Sequence, residues 1–309
     1  MSVHALFDVA APAKLNLFLH VTGQRSDGYH LLQSVFMLID WCDILHFERR
    51  SDGHISRHDL TAALPADDLC LRAARLLQAE AATPFGADIS IAKHVPWGAG
   101  LGGGSSDAAS TLLALNQLWE LHWPLSRLLP LGLKLGADVP FFLGGHNAWV
   151  EGIGEKLTPV DLPLRRFAVV KPTAGLETCV VFGDARLVRS TPAATLESFT
   201  EHSIQAQLQG KRLLEFGRND LQPVAERHCA EVVQAANLLQ TIFGNSRMTG
   251  SGSAVFAECN EACGQARGQR EYGLESSAFL AATRLLPDGW VTRMCGNLLR
   301  HPLADWSLP

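Results

Sequence analysis

The residues with the clearest chemical use lie together: Pro96, Trp97, Gly98, Ala99, Gly100, Leu101, Gly102, Gly103, Gly104, Ser105, Ser106 and Asp107. Five of the seven residues from 98 to 104 are glycine. Glycine lets successive backbone N–H groups turn towards one point, and a helix start adds unpaired N–H groups and a positive dipole end. Such a loop suits phosphate. Ser105 and Ser106 can cap the helix, touch phosphate oxygens or hold a magnesium ion. A flexible linker or a tight structural turn is the plain alternative, but linkers are seldom bounded by a strand and a strongly patterned helix. Gly98, Gly100 and Gly103 formally match a dinucleotide fingerprint, which needs a following strand ending in an acidic residue. Residues 121–135 hold Pro124 and Pro130 and no such strand. A P-loop needs Gly-Lys-Ser/Thr, and no lysine lies between 94 and 133. The segment reads as a phosphate cradle of another type.

The elements around it follow from periodicity. Lys14–Val21 alternates as a strand, with Lys14 and Asn16 on one face, and Leu31–Phe47 returns to an apolar pattern. Leu69–Ala82 reads as a helix and Ala87–Val95 as a strand. Ala108, Leu112, Leu115 and Trp119 form a stripe that starts a buried helix near Ser105. A second helix from Ser126 is expected to be short or kinked by Pro130 and Gly132. The prolines of Leu157–Pro163 mark a domain boundary, giving residues 1–158 and 159–309. A strand at Phe167–Val170, helices near Thr195–Leu208 and Val224–Thr241, and a strand at Ser253–Glu258 follow. The mixture indicates an α/β or α+β class.

Composition limits the partners. With 309 residues, 26 Lys+Arg against 31 Asp+Glu and no basic run, nothing indicates a nucleic-acid surface. No stretch reaches the roughly 18 apolar residues that span a bilayer, and the N-terminus has no signal-peptide pattern. Seven scattered cysteines, with Cys259 and Cys263 the only close pair, make neither a disulfide framework nor a zinc site. A cytoplasmic location with free thiols and no structural metal is expected.

Pro96-x5-Gly102-Gly103-Gly104-Ser105-Ser106-Asp107-Ala108-Ala109 resembles the phosphate-loop motif of the GHMP small-molecule kinases. Ala11–Leu17 is similar to that family's first motif, and Met248–Ala254 to its last glycine-rich one. Within the family, Thr22–His30 and Gly136–Gly145 resemble the branch that phosphorylates 4-diphosphocytidyl-2-C-methyl-D-erythritol. The resemblance implies a two-domain α+β GHMP kinase fold with the active site in the interdomain cleft. It implies ATP with magnesium as cofactors, and transfer to the substrate's 2-hydroxyl in non-mevalonate isoprenoid synthesis. A monomer or weak homodimer is expected. Rivals are another small-alcohol kinase of the family, for homoserine or mevalonate, and a non-catalytic nucleotide-binding regulator.

Residue roles carry over with it. Asp138, by residue type alone a turn or cap aspartate, is implied as the catalytic base. Lys14, otherwise a solvated edge-strand charge, is implied to pair with Asp138 and stabilise charge on the reacting oxygens. Residues 96–106 are implied to hold ATP. Asn16 is implied beside the substrate, Tyr29 and His30 at its cytidine end, and Phe182 stacked on the base, with Thr178, Gly250 and Ser251 also in contact. Tyr29–His30 as a half-buried pair and Phe182 as a core residue are the alternatives. Arg25 and Lys93-His94 read as solvated charges.

Overall fold

The computed structural model describes residues 3–259 and 274–307. It opens on two long strands, β1 (Ala5–Gln24) and β2 (His30–Arg50), paired antiparallel with Lys14 opposite Leu38 and Asn16 opposite Phe36. From Ala11 to Val21 every residue of β1 is buried. An unbroken buried run requires that both faces be covered. On one side Val9, Ala11, Phe36 and Leu38 join a core built with helices; on the other Ala13, Leu15, Leu17, Val35 and Met37 join the second half of the chain.

β3 (Ile55–Asp59), β4 (Gly86–Ala92), β5 (Ala148–Glu151) and β6 (Lys156–Pro159) complete a six-stranded sheet in the order β3-β4-β2-β5-β6, with β1 on β2. Among its pairings β3–β4 alone is parallel. The helix layer comprises α1 (Leu69–Ala81), α2 (Gly103–Leu118), α3 (Leu125–Leu135) and α4 (Val139–Gly144). Asp68 caps α1 by accepting from the Leu71 N–H. α2 is the apolar centre of this layer, and Leu112, Leu115 and Leu118 are all fully buried. α3 runs through Pro130 for 11 residues, so the proline does not end it.

The second half is a four-stranded antiparallel sheet, ordered β10-β7-β9-β8, from β7 (Arg166–Lys171), β8 (Arg247–Met248), β9 (Val255–Glu258) and β10 (Val291–Gly296). Its helices are α5 (Thr178–Gly183), α6 (Leu196–Gln209), α7 (Gln222–His228), α8 (Ala230–Phe243) and α9 (Leu274–Thr283). The expected single helix over Val224–Thr241 is two. Cys229 is extended (φ −144°, ψ 102°) and separates α7 from α8, while its side chain stays in the core with Ala225 and Val232.

Past β10 the chain returns to the first half. Asn297 N–H donates to Arg165 O (3.2 Å), the Asn297 amide oxygen accepts from Arg165 N–H (2.6 Å), and Leu298 N–H donates to Leu38 O (2.9 Å). His301 N–H donates to Gly145 O (2.8 Å), and Leu303 enters the core of the helix layer. No described helix is long and apolar enough to cross a membrane. Among the described residues Cys42, Cys70, Cys179, Cys229 and Cys295 are free thiols, and Cys263 lies outside the described residues.

Candidate active site

The glycine loop rises from β4 to α2 and is anchored by a buried carboxylate. Asp43 accepts from the backbone N–H groups of His94 (2.5 Å) and Val95 (2.8 Å) and from the Lys93 ammonium, which also donates to Asp107 (2.6 Å). Lys93 is therefore not a solvated charge; only 6% of its side chain is exposed. Burial opposes its charge, but the Asp107 and Asp43 carboxylates outweigh that and raise its pKa. Burial pushes the Asp107 carboxyl well up, against the Lys93 charge. Arg25 does lie at the surface, paired with Asp27 (2.6 Å).

Residues 96–99 and 101–105, with Leu64, Pro65, Asp67, Asp68 and Leu69, line a cavity of about 450 Å³. Trp97 is half exposed, whereas the side chains of Ala99 and Leu101 are buried in the core, leaving backbone to face the cavity. Gly102 is the N-cap of α2 at φ 71°, so neither serine caps the helix, contrary to one option read from the sequence. Ser105 lines the cavity and its hydroxyl makes no hydrogen bond among the described residues; the Ser106 hydroxyl is wholly buried without a partner. Gly100 (φ 73°) is pressed on the last glycine loop: a Cβ there would lie 2.1 Å from Thr249 O. The two loops are tied by Ser253 N–H to Gly98 O (3.2 Å) and Ala254 N–H to Ala99 O (3.2 Å).

Lys14 stands between this loop and a second, larger cavity. Its backbone N–H donates to Leu101 O (2.9 Å), and its ammonium lies 3.8 Å from Asp138 and 2.5 Å from the Asn16 amide oxygen. Burial lowers the Lys14 pKa, and Asp138 pulls it back up. Asp138 is the residue before α4, with a third of its side chain exposed. The cavity, about 840 Å³, is lined by Lys14, Asn16, Tyr29, His30, Asp138, Thr178, Phe182, Gly250 and Ser251. It thus gathers both residues assigned to catalysis and all seven assigned to substrate. Tyr29 is 60% exposed at the mouth. The His30 and Phe182 rings lie 5.0 Å apart, and Thr178 and Ser251 share a hydroxyl hydrogen bond (2.9 Å).

A family model described as GHMP kinases N terminal domain matches residues 68–146, and one described as GHMP kinases C terminal matches residues 197–267. A 4-diphosphocytidyl-2-C-methyl-D-erythritol kinase of Methylibium petroleiphilum is 62% identical over 307 residues, covering 99% of this chain and 100% of the relative. The chain belongs to the GHMP kinase family. A relative of the same name from Variovorax paradoxus is 56% identical over 308 residues, with 98% and 99% of the two chains covered. A crystal structure of 4-(cytidine 5'-diphospho)-2C-methyl-D-erythritol kinase superposes with TM-score 0.75 at 33% identity, covering 93% of this chain and 98% of that one. An L. major mevalonate kinase (TM-score 0.67, 15% identity, covering 97% and 98%) shares the fold.

Two groups at the site of this GHMP kinase receive no role from the sequence, although Thr249 lies within the last glycine-rich motif. Thr249 holds the loops together, its hydroxyl accepting from Asn16 N–H (3.0 Å) and lying 3.2 Å from Gly100 O. Arg189 lines the larger cavity and donates from Nε to His30 Nε2 (3.0 Å). It is 159 residues from that partner. Only the folded chain could reveal the pair.

Proposed function

We propose that this kinase transfers the γ-phosphoryl group of ATP to the 2-hydroxyl of 4-diphosphocytidyl-2-C-methyl-D-erythritol, a step of non-mevalonate isoprenoid precursor synthesis. The observation that carries this reading is the single cavity in which Lys14 and Asp138 meet Tyr29, His30, Phe182 and the other residues assigned to the cytidyl substrate. Relatives named for this activity, more than half identical along nearly the whole chain, support it.

Asp138 accepts the hydroxyl proton as the substrate oxygen attacks the γ-phosphorus. The new O–P bond forms while the bond to the β–γ bridging oxygen breaks, and ADP leaves. Lys14, 3.8 Å from Asp138, offsets negative charge on the reacting oxygens. ATP fits the smaller cavity, which the loop glycines Gly98, Gly102, Gly103 and Gly104 line at the start of α2. A magnesium ion arriving with ATP suits the uncommitted Ser105 hydroxyl, a hard oxygen donor, and would neutralise phosphate charge. His30 and Phe182 hold the cytosine, the aromatic ring by stacking. The enzyme works in the cytoplasm as a monomer or weak homodimer.

Purified protein given ATP, magnesium and the cytidyl substrate is expected to yield ADP and the 2-phosphate in equal amounts. Turnover of mevalonate or homoserine with no ADP release from the cytidyl substrate would overturn the assignment. Tight ATP binding without turnover of any of the three would do so too.

A further inference from the structure

Arg189 is held more firmly than a residue that merely lines a cavity needs to be. One terminal nitrogen donates to Phe182 O (2.9 Å) and Asp184 O (3.0 Å), the other donates to Leu187 O (3.1 Å), and Nε donates to His30 Nε2 (3.0 Å). The guanidinium is therefore fixed by the turn that follows α5, and its Nε–H is aimed at one imidazole nitrogen. A guanidinium has donors only and stays charged. Nε2 of His30 must then be the acceptor, so the neutral ring carries its proton on Nδ1. Among the described residues Nδ1 has no protein partner, although the residue lines the cavity. A second proton on the ring would set N–H against N–H. Burial and the Arg189 charge both lower the His30 pKa, in keeping with a neutral ring.

We infer that Arg189 is a positioning residue for base selection: it locks His30 as a neutral Nδ1–H donor, so that the cavity accepts cytosine, whose N3 is an acceptor, and disfavours uracil, whose N3 carries hydrogen. This rests on the cytidyl substrate proposed above and adds the group that sets its specificity. A donor facing a donor leaves two polar groups unpaired in a partly desolvated site, the strongest available basis for discrimination between bases of nearly equal shape. With Arg189 removed, His30 can present either tautomer, and the preference falls.

The test pairs a spectroscopic with a kinetic readout. With 15N-labelled histidine, the free wild-type protein should give a His30 signal, identified by its loss in His30→Phe, of the Nδ1–H form; in Arg189→Leu it should move towards the Nε2–H form. A wild-type ring in the Nε2–H form would overturn the inference. The tautomer is read without substrate, so it tests the role of Arg189 whatever the substrate proves to be. In kinetics, the ratio of kcat/KM for the cytidyl substrate to that for its uridyl counterpart should fall by about tenfold or more in Arg189→Leu. In the His30→Phe background, the same substitution should leave that ratio unchanged, because Arg189 acts through His30. Arg189→Lys, which keeps a cation and a donor, should restore part of the ratio if loss of the arginine disturbs the turn. An unchanged ratio in a folded Arg189→Leu, or an equal fall in both backgrounds, would overturn the inference.

Discussion

His301 couples the segment that follows β10 to the end of α4, and its titration can be followed. It is 2% exposed, its N–H holds Gly145 O at the end of α4, and its Nδ1 accepts from Leu303 N–H (3.1 Å). Its Nε2 is buried without a partner. Burial lowers its pKa from 6.5 to about 4. In the unfolded chain the ring protonates at its ordinary value, so between these two values the unfolded state binds a proton that the folded state does not. Stability is complete above the unfolded value and is lost as pH falls towards the folded one. At roughly 1.4 kcal/mol per unit, the whole window amounts to about 3 kcal/mol, of which about 2 kcal/mol is gone by about pH 5. Urea unfolding of wild type and His301→Gln at about pH 7.5 and about pH 5 measures this, since glutamine can accept from Leu303 N–H but does not titrate. The wild type should lose about 2 kcal/mol more than the variant between the two conditions. Equal losses would refute the reasoning.

Other substitutions read the site directly. Asp138→Asn should lower kcat on the order of a hundredfold or more with KM within about tenfold, because the carboxylate acts mainly in the transition state; steady-state kinetics with the cytidyl substrate checks it. Gly100→Ala puts a Cβ 2.1 Å from Thr249 O at φ 73°. It should lower the thermal midpoint and raise the KM for ATP, since the two loops must part. Phe182→Ala should weaken cytidyl-substrate binding by ~1–3 kcal/mol, the usual worth of base stacking, measured by calorimetry, and leave ATP affinity unaltered.

Much of the architecture could be read from local pattern. The glycine run and the stripe from Ala108 to Trp119 announced the loop and α2, because both signals are contiguous in the chain. Lys14 and Asn16 were readable as neighbours from the two-residue period of a strand, and they touch. The break at Cys229 was not readable: the apolar spacing from Ala225 to Val232 runs through it unchanged, so periodicity reports the buried face and not the backbone bend. Lys93 looked like a surface charge because its partners Asp43 and Asp107 lie 50 and 14 residues away. Arg189 was silent for the same reason. Charged groups that become buried are legible only once their partners are known, and these partners are set by tertiary contact.

The return of the chain after Asn297 has a consequence for how the protein is made. The core of the helix layer includes Leu303, and Gln117 of α2 donates to Trp306 O (2.5 Å). Leu303 and Trp306 both follow β10 in the chain. Domains generally fold as they emerge, N-terminal part first. Here every strand of the second sheet is available before the first half can make its closing contacts. The half that is translated first is completed only after the second, and a chain cut at Asn297 would leave the layer that carries Asp138 open along the edge where His301 and Leu303 belong.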